Sequence, residues 1–207
     1  MAPSRRFPRQ DGIVSLLDAP ASERVVGLWR GIEHRLGLRG IFVMPYPHFS
    51  YQIAEGYDRA AAEPAIEEIA RSTPPFEVRT SGVASFGAPW PVVYLAVDRS
   101  PPLSDLHRRI WQGLDRSVHA PSPLYREDRW LPHVSLAYGD ERTGTALTDA
   151  ECAQVRALLG RGEYRWSLRV DNLALIVDDG SEQRPVRTFP LLGGQTSDVH
   201  PRSASRS

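Results

Sequence analysis

The sequence contains no lysine, so all 25 of its basic residues are arginine. Without a lysine side chain the protein cannot form a Schiff base, hold a triphosphate with a P-loop lysine or carry an adenylate on a lysine nucleophile. ATP-driven ligation through a lysine–AMP intermediate is therefore excluded.

An excess of charge of either sign is also absent, because the 25 arginines are balanced by 25 aspartates and glutamates. Proteins that hold long nucleic acid duplexes depend on positive charge that displaces counterions from the phosphates. The balanced charge predicts a small nucleotide or an RNA end as the partner, and no long duplex.

Cysteine and long apolar runs are scarce as well. The single cysteine, Cys152, excludes an internal disulfide and favours a reducing compartment. No apolar stretch behind the N-terminal arginines is long enough for a signal peptide, and none elsewhere is long enough to span a bilayer. We therefore expect a cytoplasmic protein with no membrane partner.

The 207 residues suit one domain of ordinary size. Residues 1–11 are polar and contain proline, which predicts a flexible lead-in. Residues 193–207 are rich in serine, glycine and arginine without an apolar period, which predicts a disordered tail. Between them, residues 12–192 are predicted to form a single bilobal domain, and a monomer is expected.

Helical and strand patterns alternate along this central region, which predicts a mixed α/β, or α+β, fold. Ser22 is predicted to cap a first helix that ends at Gly37, and Pro64 to lie in the first turn of a short helix. Thr148 and Glu151 form a capping-box pattern ahead of the last helix. Strands are predicted at residues 13–17, 48–54, 76–86, 92–97, 133–138, 166–170, 173–177 and 189–191.

Two short segments repeat one pattern of residues. Pro47-His48-Phe49-Ser50-Tyr51 and Pro132-His133-Val134-Ser135-Leu136 each read proline, histidine, apolar, serine, apolar or aromatic. Alternate side chains of a strand point to opposite faces. The histidine and serine of each motif are therefore predicted to share one face, while Tyr51 and Tyr138 point to the other.

The motifs occupy comparable places in two halves of the chain. This arrangement predicts two pseudo-symmetric lobes, with antiparallel-rich sheets lining a central cleft and helices on the outside. Two imidazoles and two hydroxyls that face one cleft supply an acid, a base and two donors for phosphate oxygens. Histidine suits both the acid and the base role because its pKa of about 6.5 leaves both forms accessible near neutral pH.

The paired, proline-led His-x-Ser motifs resemble the two-histidine (2H) phosphoesterase superfamily, and within it the 2′-5′ RNA ligase and cyclic phosphodiesterase family. The resemblance covers roughly residues 12–192 when the order of strands and helices is counted. Both hydroxyl positions are serine, where threonine is commoner in the family. This departure preserves the hydroxyl donor.

The resemblance implies a metal-independent phosphodiesterase that acts on 2′-5′ or 2′,3′-cyclic phosphodiester bonds of RNA ends or small nucleotides, with reverse ligation as a second direction. It implies His48 and His133 as the catalytic acid and base, in an order that the sequence leaves open. It implies Ser50 and Ser135 as the donors to phosphate, with no cofactor and no metal. The alternative is a non-catalytic module that binds a nucleotide or RNA end in the same cleft.

Candidates for further substrate contact lie near the motifs. Tyr46, Trp90 and Trp130 could stack on a base, although the core is the favoured place for each of them singly. Arg126 and Arg129 could hold a phosphate through paired N–H donors, or could be solvated loop residues that pair with the adjacent acidic side chains.

A metal site is a rival interpretation of the histidine pair, with Asp140 or Glu141 completing the ligand set. The sequence lacks the clustered histidines and cysteines that are typical of zinc sites. His34 and His107 lie in amphipathic helices and His119 in a proline-rich loop, so structural roles are predicted for all three.

Overall fold

A computed structural model of the chain describes residues 10–88, 90–139, 146–160, 162, 164–179 and 183–193. Within them, the strands are β1 (Asp11–Leu16), β2 (His48–Tyr57), β3 (Phe76–Phe86), β4 (Val92–Val97), β5 (Val118–Pro121), β6 (His133–Tyr138), β7 (Ser167–Val170), β8 (Asn172–Asp178) and β9 (Gln183–Pro190). The α-helices are α1 (Ala19–Leu36), α2 (Arg59–Arg71), α3 (Pro101–Gly113) and α4 (Asp149–Leu159), and 3₁₀ helices span Gly40–Val43 and Pro123–Tyr125.

The strands form two sheets in which hydrogen-bonded neighbours run antiparallel. The first sheet has the order β5-β2-β1-β8-β9, and the second has the order β6-β4-β3-β7. The two His-x-Ser motifs therefore lie in different sheets, one on β2 and the other on β6. This arrangement confirms the predicted α+β fold with antiparallel sheets.

Two of the four α-helices pack against the sheet that does not contain the strand before them. Helices α2 and α3 pack against the first sheet, whereas α1 and α4 pack against the second. Helix α1 thus follows a strand of the first sheet but covers the second, and α3 follows a strand of the second sheet but covers the first. The two lobes are interlocked and share one continuous hydrophobic core.

Alternation along the histidine strands follows the predicted parity. Phe49 and Tyr51 of β2 are almost fully buried in the shared core, as are Val134 and Leu136 of β6. Because these apolar residues face the core, the histidine and serine of each motif face the opposite side of the strand.

Tyr138 is buried as well, but the register shift after Ser135 pairs it with Val92, which lies on the same face of β4 as Tyr94, the partner of Ser135. The prediction that Tyr138 points away from the histidine face is therefore wrong, because the shift reverses the alternation beyond Ser135.

The prediction that Ser22 caps the first helix is wrong. Asp18 is the cap, because its Oδ1 accepts a hydrogen bond from the backbone N–H of Ala21 at 2.8 Å. Pro20 occupies the first turn, where a missing N–H costs nothing. The Ser22 hydroxyl instead donates to the carbonyl of Leu17 at 3.0 Å. The predicted end is confirmed, since Gly37 closes the helix in the left-handed conformation with φ of 70°.

The predicted start of the second helix is also wrong. Helix α2 begins at Arg59, capped by Asp58, so Pro64 lies inside the helix rather than in its first turn. Inside a helix, proline removes the hydrogen bond to the carbonyl of the residue four positions earlier, here Ala60, and its ring crowds that carbonyl. Arg59 and Glu63 form an ion pair at 2.6 Å across the same segment.

Two further local predictions differ from the structure. Strand β1 begins at Asp11, two residues before the predicted strand at residues 13–17, and His119 lies on strand β5 rather than in a loop. Residues 1–9 and 194–207 lie outside the described part of the chain. Among the described helices, none is long and apolar enough to cross a membrane.

Gly40 brings the loop before the first motif against the end of the second motif's strand. A Cβ atom on Gly40 would lie 2.3 Å from the carbonyl oxygen of Tyr138 and 2.4 Å from that of Gly139. Only glycine permits this approach of two backbones. The contact joins the segment that leads to His48 to the strand that carries His133.

We therefore expect Gly40→Ala to lower the free energy of unfolding by about 1–3 kcal/mol, because the added methyl group must displace backbone. Gly27→Ala is the matched control, since Gly27 is a helical glycine with no atom within 4 Å of an added Cβ. It should leave stability unchanged or raise it by up to about 1 kcal/mol. Urea unfolding measures both changes, and equal effects would contradict the close approach.

Candidate active site

Each His-x-Ser motif pairs with one neighbouring strand in the same way. On β2, His48 lies opposite Leu16 and Ser50 lies opposite Val14 of β1. On β6, His133 lies opposite Ala96 and Ser135 lies opposite Tyr94 of β4. Both pairings then shift register immediately after the serine.

The register shift is a β-bulge at the residue that follows each serine. Ile13 pairs with Gln52, which leaves Tyr51 without a partner on β1. Val93 pairs with Ala137, which leaves Leu136 without a partner on β4. A bulge bends its strand, interrupts the ladder and redirects the neighbouring side chains. The serines therefore stand at a bend in both sheets.

Tryptophan side chains donate hydrogen bonds to backbone carbonyls at the first bulge. The Trp130 Nε1–H donates to the Ser50 carbonyl at 2.8 Å, and the Trp111 Nε1–H donates to the Tyr51 carbonyl at 3.1 Å. A buried carbonyl without a donor would cost free energy. The two indoles supply those donors from outside the sheet.

The second bulge has a corresponding bond. The Trp29 Nε1–H donates to the Ser135 carbonyl at 3.0 Å. Trp29 comes from α1 and Trp111 from α3, the two helices that cross between the lobes. Each crossing helix thus holds the bulged strand of the lobe that it covers.

The two imidazoles are anchored in the same way. His48 Nδ1 lies 2.6 Å from the carbonyl oxygen of Tyr46, and His133 Nδ1 lies 2.7 Å from the carbonyl oxygen of Leu131. A carbonyl only accepts hydrogen bonds, so each Nδ1 must carry the hydrogen. This assigns the lone pair of each neutral ring to Nε2, the nitrogen that is not bound to the backbone.

The rings are close enough to influence each other. Burial lowers the pKa of His48, the carbonyl of Tyr46 raises it in part, and positive charge on His133 lowers it further. Burial likewise lowers the pKa of His133, against a smaller opposite effect of the Leu131 carbonyl. Strands β2 and β6 also contact each other directly. The structure therefore brings the two predicted histidines together, and both favour the neutral form.

Aromatic side chains that sequence reasoning missed flank the second histidine. The ring of Phe86 lies 4.9 Å from the ring of His133, and the ring of Tyr94 lies 5.1 Å from it. Phe86 and Tyr94 also contact each other at 4.2 Å. They belong to β3 and β4, which pair in the second sheet. Only the strand pairing brings them to the motif, and no local pattern in the sequence indicates it.

Tyr125 is a third aromatic residue that sequence reasoning missed, beside the first motif. It ends the second 3₁₀ helix, which contacts β2. Burial raises the pKa of Tyr125 to about 12, with the contact to Ser50 acting in the opposite direction. Ser50 itself is 8% exposed, whereas Ser135 is half-buried.

The predicted contact residues occupy different environments. Tyr46 is half-buried and provides the carbonyl that anchors His48, and Trp90 is 37% exposed at the turn between β3 and β4. Trp130 is 1% exposed, so the core interpretation holds and this ring offers no face for a base. Arg126 and Arg129 are exposed before the second motif, with Arg129 4.0 Å from Asp128.

Neither a third histidine nor a metal-binding cluster joins the two motif histidines in the described part of the chain. His107 is 1% exposed, stacks on Trp130 at 3.9 Å, and has Nε2 2.8 Å from the carbonyl of Tyr125, which agrees with a structural role. In the described part of the chain, no three side chains of the metal-binding types gather at one place. Asp140 and Glu141 lie outside the described residues.

Comparison with known proteins assigns the family. A family model of the 2′-5′ RNA ligase superfamily matches residues 19–182. The chain belongs to this superfamily. The predicted resemblance is thereby confirmed, and superfamily membership supports phosphoesterase chemistry. No curated protein sequence matches the chain at a significant level.

Solved structures show the same fold at low identity. TT0787 of Thermus thermophilus is 15% identical, with a TM-score of 0.61 and coverage of 90% of this chain and 100% of that one. A protein described as a phosphoesterase is 18% identical, with a TM-score of 0.56 and coverage of 90% and 99%. E. coli LigT, complexed with NADP+, is 17% identical, with a TM-score of 0.54 and coverage of 89% and 98%.

We expect Trp130→Phe to lower the free energy of unfolding by about 1–3 kcal/mol, because it leaves the Ser50 carbonyl buried without its donor. Trp166→Phe is the control, as Trp166 is half-buried and lies before β7, away from both motifs. Chemical unfolding of the two variants should show the larger loss for Trp130. A smaller loss for Trp130 than for Trp166 would contradict a structural role of the indole bond.

Proposed function

We propose that this protein is a phosphodiesterase that cleaves 2′-5′ or 2′,3′-cyclic phosphodiester bonds of RNA ends or small nucleotides, with His48 and His133 as general acid and base. One observation carries the proposal. Two imidazoles from two different sheets are each anchored through Nδ1 to a backbone carbonyl, at 2.6 and 2.7 Å, and the positive charge of His133 lowers the pKa of His48. Both Nε2 atoms are left for proton transfer.

In the proposed reaction one neutral histidine takes a proton from water through Nε2. The water oxygen forms a new bond to phosphorus, and the bond between phosphorus and the leaving ribose oxygen breaks. The second histidine, protonated, gives its Nε2 proton to that ribose oxygen. In the ligation direction a 5′-hydroxyl replaces water as the nucleophile and gives its proton to one histidine as its oxygen bonds to the phosphorus of a 2′,3′-cyclic phosphate. The bond between that phosphorus and the 3′ oxygen breaks, the other histidine protonates the 3′ oxygen, and a 2′-5′ bond remains.

The paired titration of the histidines suits this chemistry. The reactive state needs one proton shared between two rings, and positive charge on His133 lowers the pKa of His48. Repulsion of this kind disfavours the doubly protonated state and separates the two protonation steps. One acid and one base can then coexist at the same pH.

Ser50 and Ser135 are proposed to donate hydrogen bonds to the non-bridging phosphate oxygens. Each serine precedes a bulge and lies two residues beyond its histidine. Donors that stand ready where negative charge increases stabilise the transition state without having to reorganise. The indole hydrogen bonds that hold the backbone at the two bulges favour such preorganisation.

A nucleotide or RNA end is the proposed substrate class. Structures of the similarly folded E. coli LigT include complexes with ATP, 3′-AMP and phosphate, at TM-scores of 0.52 to 0.53. In this chain the rings of Phe86 and Tyr94 provide an apolar wall beside His133, suited to a ribose or a base. We extend the proposal to catalysis without a metal or cofactor, since the imidazoles supply both proton transfers.

A binding module without turnover is the second candidate. Binding a phosphate requires donors and positive charge, whereas neutral imidazoles add little affinity for an anion. Burial shifts both histidines toward the neutral form. That shift favours acid–base chemistry over phosphate binding alone.

The test is hydrolysis of a substrate panel in EDTA. The panel contains 2′,3′-cyclic nucleotides, 2′-5′ and 3′-5′ diadenylate, and ADP-ribose cyclic phosphate. We expect turnover of at least one member, and a loss of about 10²–10⁴-fold in His48→Ala and in His133→Ala. Ser50→Ala and Ser135→Ala should each lower kcat by about a hundredfold.

His34→Ala is the matched control, because His34 is exposed on α1. It should retain full activity. Near-normal activity in both His48→Ala and His133→Ala would contradict the assignment. Binding of the panel without turnover would favour the binding module, and activity only with added metal would favour a metal mechanism.

A further inference from the structure

Tyr94 lies on the face of the second sheet that carries the second motif. It pairs directly with Ser135 across β4 and β6, so the two side chains share one face. Its neighbours Val93 and Leu95 point to the other face and belong to the main hydrophobic core, which does not include Tyr94. The Tyr94 ring lies 5.1 Å from the His133 ring. Tyr94 is therefore part of the surface that surrounds the second histidine.

The Tyr94 hydroxyl is a hydrogen-bond donor without a partner among the described residues. The residue is only 8% exposed, and burial is the one influence that raises its pKa. A buried tyrosine usually has a partner for its hydroxyl. Two others in this chain do, since the Tyr51 hydroxyl lies 2.9 Å from that of Ser15 and the Tyr57 hydroxyl donates to the Gln52 side chain at 3.1 Å. The Tyr94 hydroxyl is thus left for a bound molecule.

The order of the strands places Tyr94 on the far side of His133 from the first sheet. Strand β6 is at one edge of the second sheet and contacts β2, which carries His48. Strands β4 and β3 follow in order away from that contact. Phe86 of β3 lies beside Tyr94, with 4.2 Å between the rings. A molecule with its phosphate between the histidines meets these two rings wherever it extends over the second sheet.

The corresponding positions of the first sheet are aliphatic. Val14 lies opposite Ser50 on β1, the place that Tyr94 takes in the second sheet, and Ala174 lies opposite Val14 on β8. Together with Ile176 they form a small buried cluster, separate from the main core, in which each residue is at most 3% exposed. Aliphatic side chains offer neither an aromatic face nor a hydrogen-bond donor. The two sides of the phosphate position therefore differ in chemistry.

Resting on the proposed function, we propose that Tyr94 is a specificity-determining residue that holds the substrate's nucleoside over the second sheet, with its hydroxyl donating to a ribose oxygen. Bases stack on aromatic rings, and Tyr94 and Phe86 supply such rings on this side. A tyrosine side chain is longer than serine or histidine, so its hydroxyl extends further from the sheet than the groups that hold the phosphate. The ribose is the part of a nucleotide that follows the phosphate.

Removal of the hydroxyl alone tests this role. We expect Tyr94→Phe to lower kcat/KM about tenfold for the nucleotide of the panel that is hydrolysed fastest, the size expected for one lost hydrogen bond. Hydrolysis of methyl 4-nitrophenyl phosphate, an activated diester without a ribose, should be unchanged. A general disturbance of His133 or of the fold would slow both substrates. Equal losses on the two substrates, or no loss on the nucleotide, would overturn the role of Tyr94.

Tyr164→Phe is the matched control, because its phenol donates to the Leu159 carbonyl at 2.9 Å and the residue lies before β7, away from both motifs. It should leave kcat/KM unchanged for both substrates. Retained activity in both His48→Ala and His133→Ala would instead overturn the proposed function itself.

The position of the base provides a second readout that needs no turnover. With 3′-AMP bound to the full chain, we expect nuclear Overhauser effects between the adenine protons and the aromatic protons of Tyr94 and Phe86. Contacts of the adenine with the methyl groups of Leu16, the half-buried residue opposite His48 on β1, would overturn the inference. Failure of 3′-AMP to bind would overturn it as well.

Discussion

The β-bulge after each serine is the constraint on which the rest of the site depends. It leaves Tyr51 and Leu136, the residues that follow Ser50 and Ser135, without a partner on the neighbouring strand. A bulge is stable inside a protein only when the interrupted backbone groups find other partners. Three indole N–H groups donate to backbone carbonyls at the bulges. Those of Trp29 and Trp111 connect the bent strands to helices, and that of Trp130 connects β2 to the segment before β6.

This requirement explains why the lobes are interlocked. Trp29 lies on α1 and reaches the second sheet, while Trp111 lies on α3 and reaches the first. Each helix crosses from its own lobe to support the bulge of the other. Gly40 adds a direct contact between the loop before His48 and the end of β6. The distance between the two imidazoles is thus set by the core rather than by a flexible hinge.

Much of the framework is predictable from local pattern. The paired motifs indicate the strands, and alternation indicates that Phe49 and Tyr51 face the core. The capping box at Thr148 and Glu151 is also confirmed, because both of its reciprocal bonds form. These features depend on residues close together in sequence, whose geometry local physics determines.

Features that depend on distant pairing are not predictable in this way. Phe86, Tyr94 and Tyr125 reach the motifs only through the order of the strands and the path of a loop. The tryptophans look like core residues in the sequence, and nothing local indicates that their indoles bind the motif backbone. Asp18 and Ser22 are both good caps, and the presence of Pro20 in the first turn decides between them only after the helix is placed.

The central claim is that two backbone-anchored imidazoles present Nε2 to one phosphodiester. Nitrogen-15 NMR of the histidine side chains across a pH titration tests it most directly. Burial lowers both pKa values, so His48 and His133 should titrate below the ordinary value of about 6.5 and lose their charge before neutral pH is reached. The neutral rings should carry hydrogen on Nδ1. Hydrogen on Nε2 in the neutral rings, or titration above the ordinary value, would contradict the account.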